Sequence, residues 1–214
     1  MVVVGPRAVA ETFDAQEHEA RRLLPAREPL RTAIEADWQR FNGQLAADVA
    51  AVAYFQLLPQ KDIMIEPFSR GLPAREAALT RPAYPVLRAA FKLLLDLGAP
   101  RIADALVRIR TCVARVDARL GDGRQFLHGA EPSLADLALA AALALLTQPD
   151  GCRSPLPRRE DMPPRMQDLD RDLGLTPTFA LIERVYAVVG GGILPDELRA
   201  GNPGLQYGAR EPTR

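Results

Sequence analysis

The feature that most constrains this chain is a stretch with no polar face. Residues 137–146 are all alanine or leucine. A helix that is apolar all round belongs at the centre of other helices, not on a surface. Ten residues of helix rise roughly 15 Å, about half the hydrocarbon thickness of a bilayer, so the stretch reads as a buried helix rather than a membrane span. Directly before it stands Ser133-Leu134-Ala135-Asp136. That spacing makes a capping box, with the Ser133 hydroxyl accepting from the backbone at Asp136 and the Asp136 carboxylate accepting from the Ser133 N–H. A buried helix start has no water to turn to, and an unpaired N–H there costs about 1–3 kcal/mol. Ser133 and Asp136 are therefore assigned a structural role and no catalytic one.

The remaining pattern supplies the shell. Ile34, Trp38, Phe41, Leu45, Val49 and Val52 recur at steps of three and four, which predicts one helix from Thr32 that Pro59 ends. Asp62-Ile63-Met64-Ile65 is expected as a helical turn or a loop over the core. A second helix is expected over 86–97, begun after Tyr84-Pro85 and stopped at Gly98. The clearest helix covers 101–120, with Ile102, Leu106, Ile109, Val113, Val116 and Leu120 on one side. Arg101, Asp104, Arg108, Arg115 and Asp117 form a charged face expected to be solvated. The central helix covers 133–147. Five prolines between Pro149 and Pro164 predict a rigid loop. Closing helices follow over 166–173 and 178–189, and the glycine-rich tail 190–214 is expected to be flexible. Val2-Val3-Val4 is the one strand candidate. The fold class is all-α, a bundle of six or seven helices.

Composition excludes several functions. Lys+Arg and Asp+Glu are both 27, so neither nucleic-acid binding through bulk positive charge nor a polybasic membrane contact is expected. Two cysteines and two histidines suit neither a disulfide framework nor a four-ligand structural zinc site. No metal is expected. The N-terminus has no basic n-region or long apolar segment, so a cytoplasmic protein is expected.

The order Phe126-Leu127-His128-Gly129, then Glu131-Pro132-Ser133-Leu134-Ala135-Asp136, then an Ala/Leu-rich helix resembles the core of the glutathione S-transferase C-terminal domain. Arg115-Val116-Asp117-Ala118-Arg119-Leu120 resembles the end of that domain's long helix. Pro163-Pro164-Arg165-Met166 and Thr176-Pro177 resemble its closing helices. The resemblance implies a helical domain over 22–189 and a homodimer. It implies that residues 1–21 are a remnant of the thioredoxin-like domain, its last strand and helix. At the positions that would clamp the γ-glutamyl end of glutathione stand Gly5 and Pro6, which offer neither a carboxylate nor a hydroxyl nor, at the proline, an N–H. The resemblance thus implies a protein reduced to its helical domain. Such a protein would bind a small apolar ligand or a protein partner, without classical glutathione conjugation and without a cofactor. The alternative is an N-terminally truncated product of an active glutathione transferase, with glutathione bound only if the missing domain exists.

Candidate ligand contacts are Trp38, Tyr54 and Arg70. Trp38 lies on the helix that borders the substrate pocket in that family, and reads equally as a core anchor. Tyr54 and Phe55 could line a pocket, with Lys61 and Arg70 nearby in sequence; Tyr54 brings a hydroxyl donor on an apolar ring. His128 reads as a solvent-facing or loop-bracing residue. Cys112 reads as buried and inert, and Cys152 as a thiol that Arg153 could make more acidic.

Overall fold

The computed structural model describes residues 23–150, 152, 159–174 and 176–188. Expectations for 1–21, Gly5 and Pro6 included, and for the tail 190–214 lie outside the described residues. Among the described residues the regular structure is helical, apart from a single antiparallel bridge between Phe126 and Gly129. In chain order the helices are α1 (Leu30–Arg40), α2 (Ala46–Leu57), α3 (Lys61–Ser69), α4 (Ala74–Leu94), α5 (Ala99–Leu120), α6 (Leu134–Thr147), α7 (Pro164–Gly174) and α8 (Pro177–Val188). The all-α architecture expected from periodicity is the one observed.

Helix α6 is the axis of the bundle. It packs against α1, α2, α7 and α8, and Leu134, Ala135, Leu139, Ala140, Leu143 and Leu146 on it are buried. The start of α6 is closed by the expected capping box. The Ser133 N–H and hydroxyl donate to Asp136 Oδ2 at 2.8 and 2.5 Å. The other oxygen, Oδ1, accepts the Leu127 N–H at 2.8 Å. The Leu134 N–H donates to the carbonyl of Leu23 at 2.8 Å. One carboxylate, 0% exposed, therefore caps the central helix and also fixes the loop that precedes it.

The long apolar stripe from Ile34 to Val52 is a single helical trunk with an internal π-helical turn at Phe41–Leu45 between α1 and α2. Phe41, Leu45 and Val49 stand at two successive steps of four, and each such step drifts about 40° on an ideal α-helix. The wider turn lets Phe41, Leu45 and Val49 all stay buried. Asn42 and Gly43 sit in this turn and have weak helix propensity, so the local departure from α geometry costs little.

Two expectations are corrected. Residues 61–69 form a full helix, α3, rather than a turn or loop. Helix α4 begins at Ala74, not at 86, and runs through Pro82 and Pro85. Each interior proline forfeits an i→i−4 hydrogen bond. Packing compensates: Thr80 and Tyr84 are buried, and the Tyr84 hydroxyl donates to the Leu58 carbonyl at 2.8 Å. Phe68 lies 6.1 Å from Tyr84 and 5.1 Å from Phe91, ring centre to ring centre.

The charged side of α5 is also more than a solvated face. Arg108 forms a two-point contact with Asp48 of α2, Nε to Oδ2 and Nη2 to Oδ1, both at 2.8 Å. Asp48 is 1% exposed and takes a third hydrogen bond from Gln44. Asp117 Oδ1 accepts the N–H and hydroxyl of Thr178 at 2.8 and 2.6 Å, which caps the first turn of α8.

Replacing Asp136 with alanine strips partners from the Leu127 and Ser133 N–H groups together. The expected loss is about 3 kcal/mol in urea unfolding, against about 1–2 kcal/mol for Ser133→Ala. Equal midpoints for wild type and Asp136→Ala would show that the cap does not carry the central helix.

Candidate functional site

A cleft of about 270 Å³ opens where the end of α2 meets α4. Tyr54, Phe55, Gln56, Leu58 and Pro59 form one wall, and Arg88, Lys92 and Leu97 the other. Tyr54 is held by ring contact with Phe91 of α4 at 5.6 Å, tilted by 32°. The hydrogen bond from the Tyr84 hydroxyl to the Leu58 carbonyl, at 2.8 Å, fixes the backbone of a lining residue. Two aromatic rings and two leucines supply an apolar surface. Arg88 and Lys92, four residues apart on one helix, supply positive charge at the edge.

The candidate residues do not all meet here. Tyr54 lines the cleft. Trp38 is half-buried on α1 and packs against the core, outside the cleft lining. Arg70 follows the end of α3, is exposed, and pairs with Glu66 one turn back at 3.2 Å. Lys61 is likewise absent from the lining. Arg88 and Lys92 lie within the helix expected over 86–97, but no local pattern sets that helix against the end of α2. Their four-residue spacing puts them on one side of that helix.

A second cleft of about 280 Å³ lies between α5 and α7, lined by Leu106, Ile109, Val113, Leu146, Leu169 and Leu173 among others. Arg110 and Asp172 stand across its mouth at 3.6 Å. It has apolar walls and no aromatic ring.

Charged groups elsewhere are structural braces. His128 is not solvent-facing: its side chain is 9% exposed and its Nε2 lies 3.0 Å from Asp37 Oδ2. Arg119 donates to the same oxygen at 2.6 Å and to the Leu127 carbonyl at 3.2 Å. Burial pushes the Asp37 carboxyl up, but the hydrogen bonds from His128 and Arg119 outweigh it and hold the pKa below the ordinary 3.8. Asp48 behaves alike: burial raises it, and the hydrogen bonds from Arg108 and Gln44 bring it below 3.8. Cys112 sits beside the core, where burial pushes its thiol up, away from reactivity. Cys152 lies against the Tyr186 hydroxyl, which burial and the thiol together push up; Arg153 lies outside the described residues. Among the described residues no cluster of His, Cys, Asp and Glu is arranged to hold a metal ion, and no helix is long and apolar enough to cross a membrane.

Residues 99–167, from the first residue of α5 into α7, match the family model for the glutathione S-transferase C-terminal domain. Over that stretch, about a third of the chain, the sequence is similar to that domain. No solved structure matches the chain significantly.

Because Asp37 and Asp48 titrate lower in the folded state than in the unfolded chain, their stabilisation is complete above about pH 4. It is lost as pH falls through their depressed folded values. Stability should therefore fall as the pH drops below about 4, and Asp37→Asn and Asp48→Asn should each flatten that acid limb. An acid limb of unchanged slope in both variants would remove these two carboxylates from the account.

Proposed function

We propose that this glutathione S-transferase-like protein is a binding protein for a small apolar ligand, held in the cleft beside Tyr54 without classical glutathione conjugation. The observation that carries this reading is the lining itself. Tyr54, Phe55, Leu58 and Leu97 give a flat apolar ligand a surface to leave water for, while Arg88 and Lys92 stand where an acidic substituent would sit. The Tyr54 hydroxyl adds a donor on the same wall. Gly5 and Pro6 support the non-conjugating part of the reading, because neither side chain can hold a γ-glutamyl ammonium or carboxylate. The free cysteines Cys112 and Cys152 suit a reducing, cytoplasmic setting.

The test uses 8-anilinonaphthalene-1-sulfonate, an aromatic probe with one negative charge. The full chain should bind it saturably, with stoichiometry near one. Tyr54→Ala and Lys92→Ala should each weaken binding about fivefold, roughly 1 kcal/mol. Glutathione added with 1-chloro-2,4-dinitrobenzene should react no faster than without protein. Probe binding unaltered by both substitutions, or protein-dependent conjugation of glutathione, would overturn the reading.

A further inference from the structure

Helices α5 and α7 each pack against α8, and the cleft of about 280 Å³ runs between them. Its floor is aliphatic: Ile109 and Val113 of α5, Leu146 of α6 and Leu173 of α7 are all buried. Leu106 and Leu169, partly buried, carry the same surface outward. On α5 the lining keeps to one face, with Leu106, Ile109, Val113 and Asp117 at steps of three and four. The track from Leu106 to Asp117 is therefore about 16 Å long. Among the described residues every apolar side chain along it is aliphatic. That suits a hydrocarbon chain, since a ring ligand finds no aromatic partner to stack on.

The polar groups of the lining are acidic in balance. Arg110 and Asp172 face each other at 3.6 Å with more than half of each side chain in solvent, so they form a weak pair with no net charge. Asp117 stands at the end of the track where α8 begins. Both of its hydrogen bonds, from the N–H and hydroxyl of Thr178, end on Oδ1, and among the described residues Asp117 forms no ion pair. The first turn of α8 offers it only partial positive charge. An ammonium group at Oδ2 would gain a charge-assisted hydrogen bond. A carboxylate head there would meet like charge at Asp117 and would have to draw Arg110 away from Asp172. The cleft beside Tyr54 has the opposite edge, made by Arg88 and Lys92.

We propose that the α5–α7 cleft is a second ligand site, which takes a linear alkylammonium with its hydrocarbon chain along the aliphatic track and its ammonium group on Asp117. A cleft of about 280 Å³ is at the small end for ligand pockets, so the chain is of medium length. The described lining has no residue in common with the cleft beside Tyr54, and the proposal does not rest on the ligand reading made for that cleft.

The probe is decylammonium, titrated into the full chain by isothermal calorimetry well below its micelle-forming concentration. Binding should saturate with stoichiometry near one. Ala114 is an exposed residue of the lining, so Ala114→Phe should fill the cleft and weaken binding about tenfold or more while leaving the circular dichroism spectrum unchanged. Asp117→Asn keeps a carbonyl oxygen for Thr178 and removes the charge. It should weaken decylammonium about tenfold and leave the binding of neutral 1-decanol unaltered. Tyr54→Ala should bind decylammonium as the wild type does, which separates this site from the other cleft. Uptake without saturation, decanoate bound as tightly as decylammonium, binding that survives both Ala114→Phe and Asp117→Asn, or binding lost in Tyr54→Ala would overturn the proposal.

Discussion

The buried carboxylate of Asp136 is the contact on which the rest of the domain depends. Its oxygens accept from Ser133 twice and from Leu127 once. The first role allows an Ala/Leu helix to begin inside the protein without orphaned donors. The second ties that start to the Phe126–Gly129 turn, whose Gly129 holds φ at +145°, a conformation side chains resist. Through Leu127 the same turn is joined to Arg119 and Arg124, which both donate to its carbonyl. Asp37, His128 and Arg119 then carry the network to α1. The centre of the bundle is therefore fixed by a short polar chain, buried at Ser133, Asp136 and Asp37 and part-exposed at Arg119 and Arg124, and its buried links are costly to break because the groups left behind have no water.

The candidate ligand cleft lies away from this centre, at the edge where the α3–α4 pair leans on α2. That pair is held by aromatic contacts, one tyrosine hydrogen bond and an exposed ion pair between Arg81 and Asp62 at 3.0 Å. The two sets of contacts are separate: the cap fixes the start of α6, and the Tyr54–Phe91 ring contact sets α4 against α2. The cleft lining comes from the end of α2, the residues just after it, α4 and Leu97, none of which takes part in the Asp136 cap.

How much was legible in the sequence follows from which forces are local. Ser133 and Asp136 are three residues apart, so their box could be read directly, and the stripe from Ile102 to Leu120 marks α5 because periodicity is local too. Helix α4 was read twelve residues short because Pro82 and Pro85 signal a helix start, and only the burial of Tyr84 reveals why the chain continues through them. The π turn at Phe41–Leu45 was not legible, because steps of four at Phe41, Leu45 and Val49 also fit the apolar stripe of an ordinary α-helix. The Asp37–His128 pair joins residues 91 positions apart, and no local pattern announces it. For the cleft, Tyr54 could be picked out as an aromatic near a helix end, whereas Trp38 and Arg70 share its neighbourhood in sequence or family position but not in space.

The most direct test of the central claim is native-state hydrogen exchange at the Leu127 and Ser133 amides. Both are sealed by Asp136, so they should exchange only through global unfolding, with protection that tracks the stability of the whole domain under added urea. Exchange of either amide by local opening, insensitive to urea while the α6 interior stays protected, would contradict the claim that this carboxylate holds the fold together.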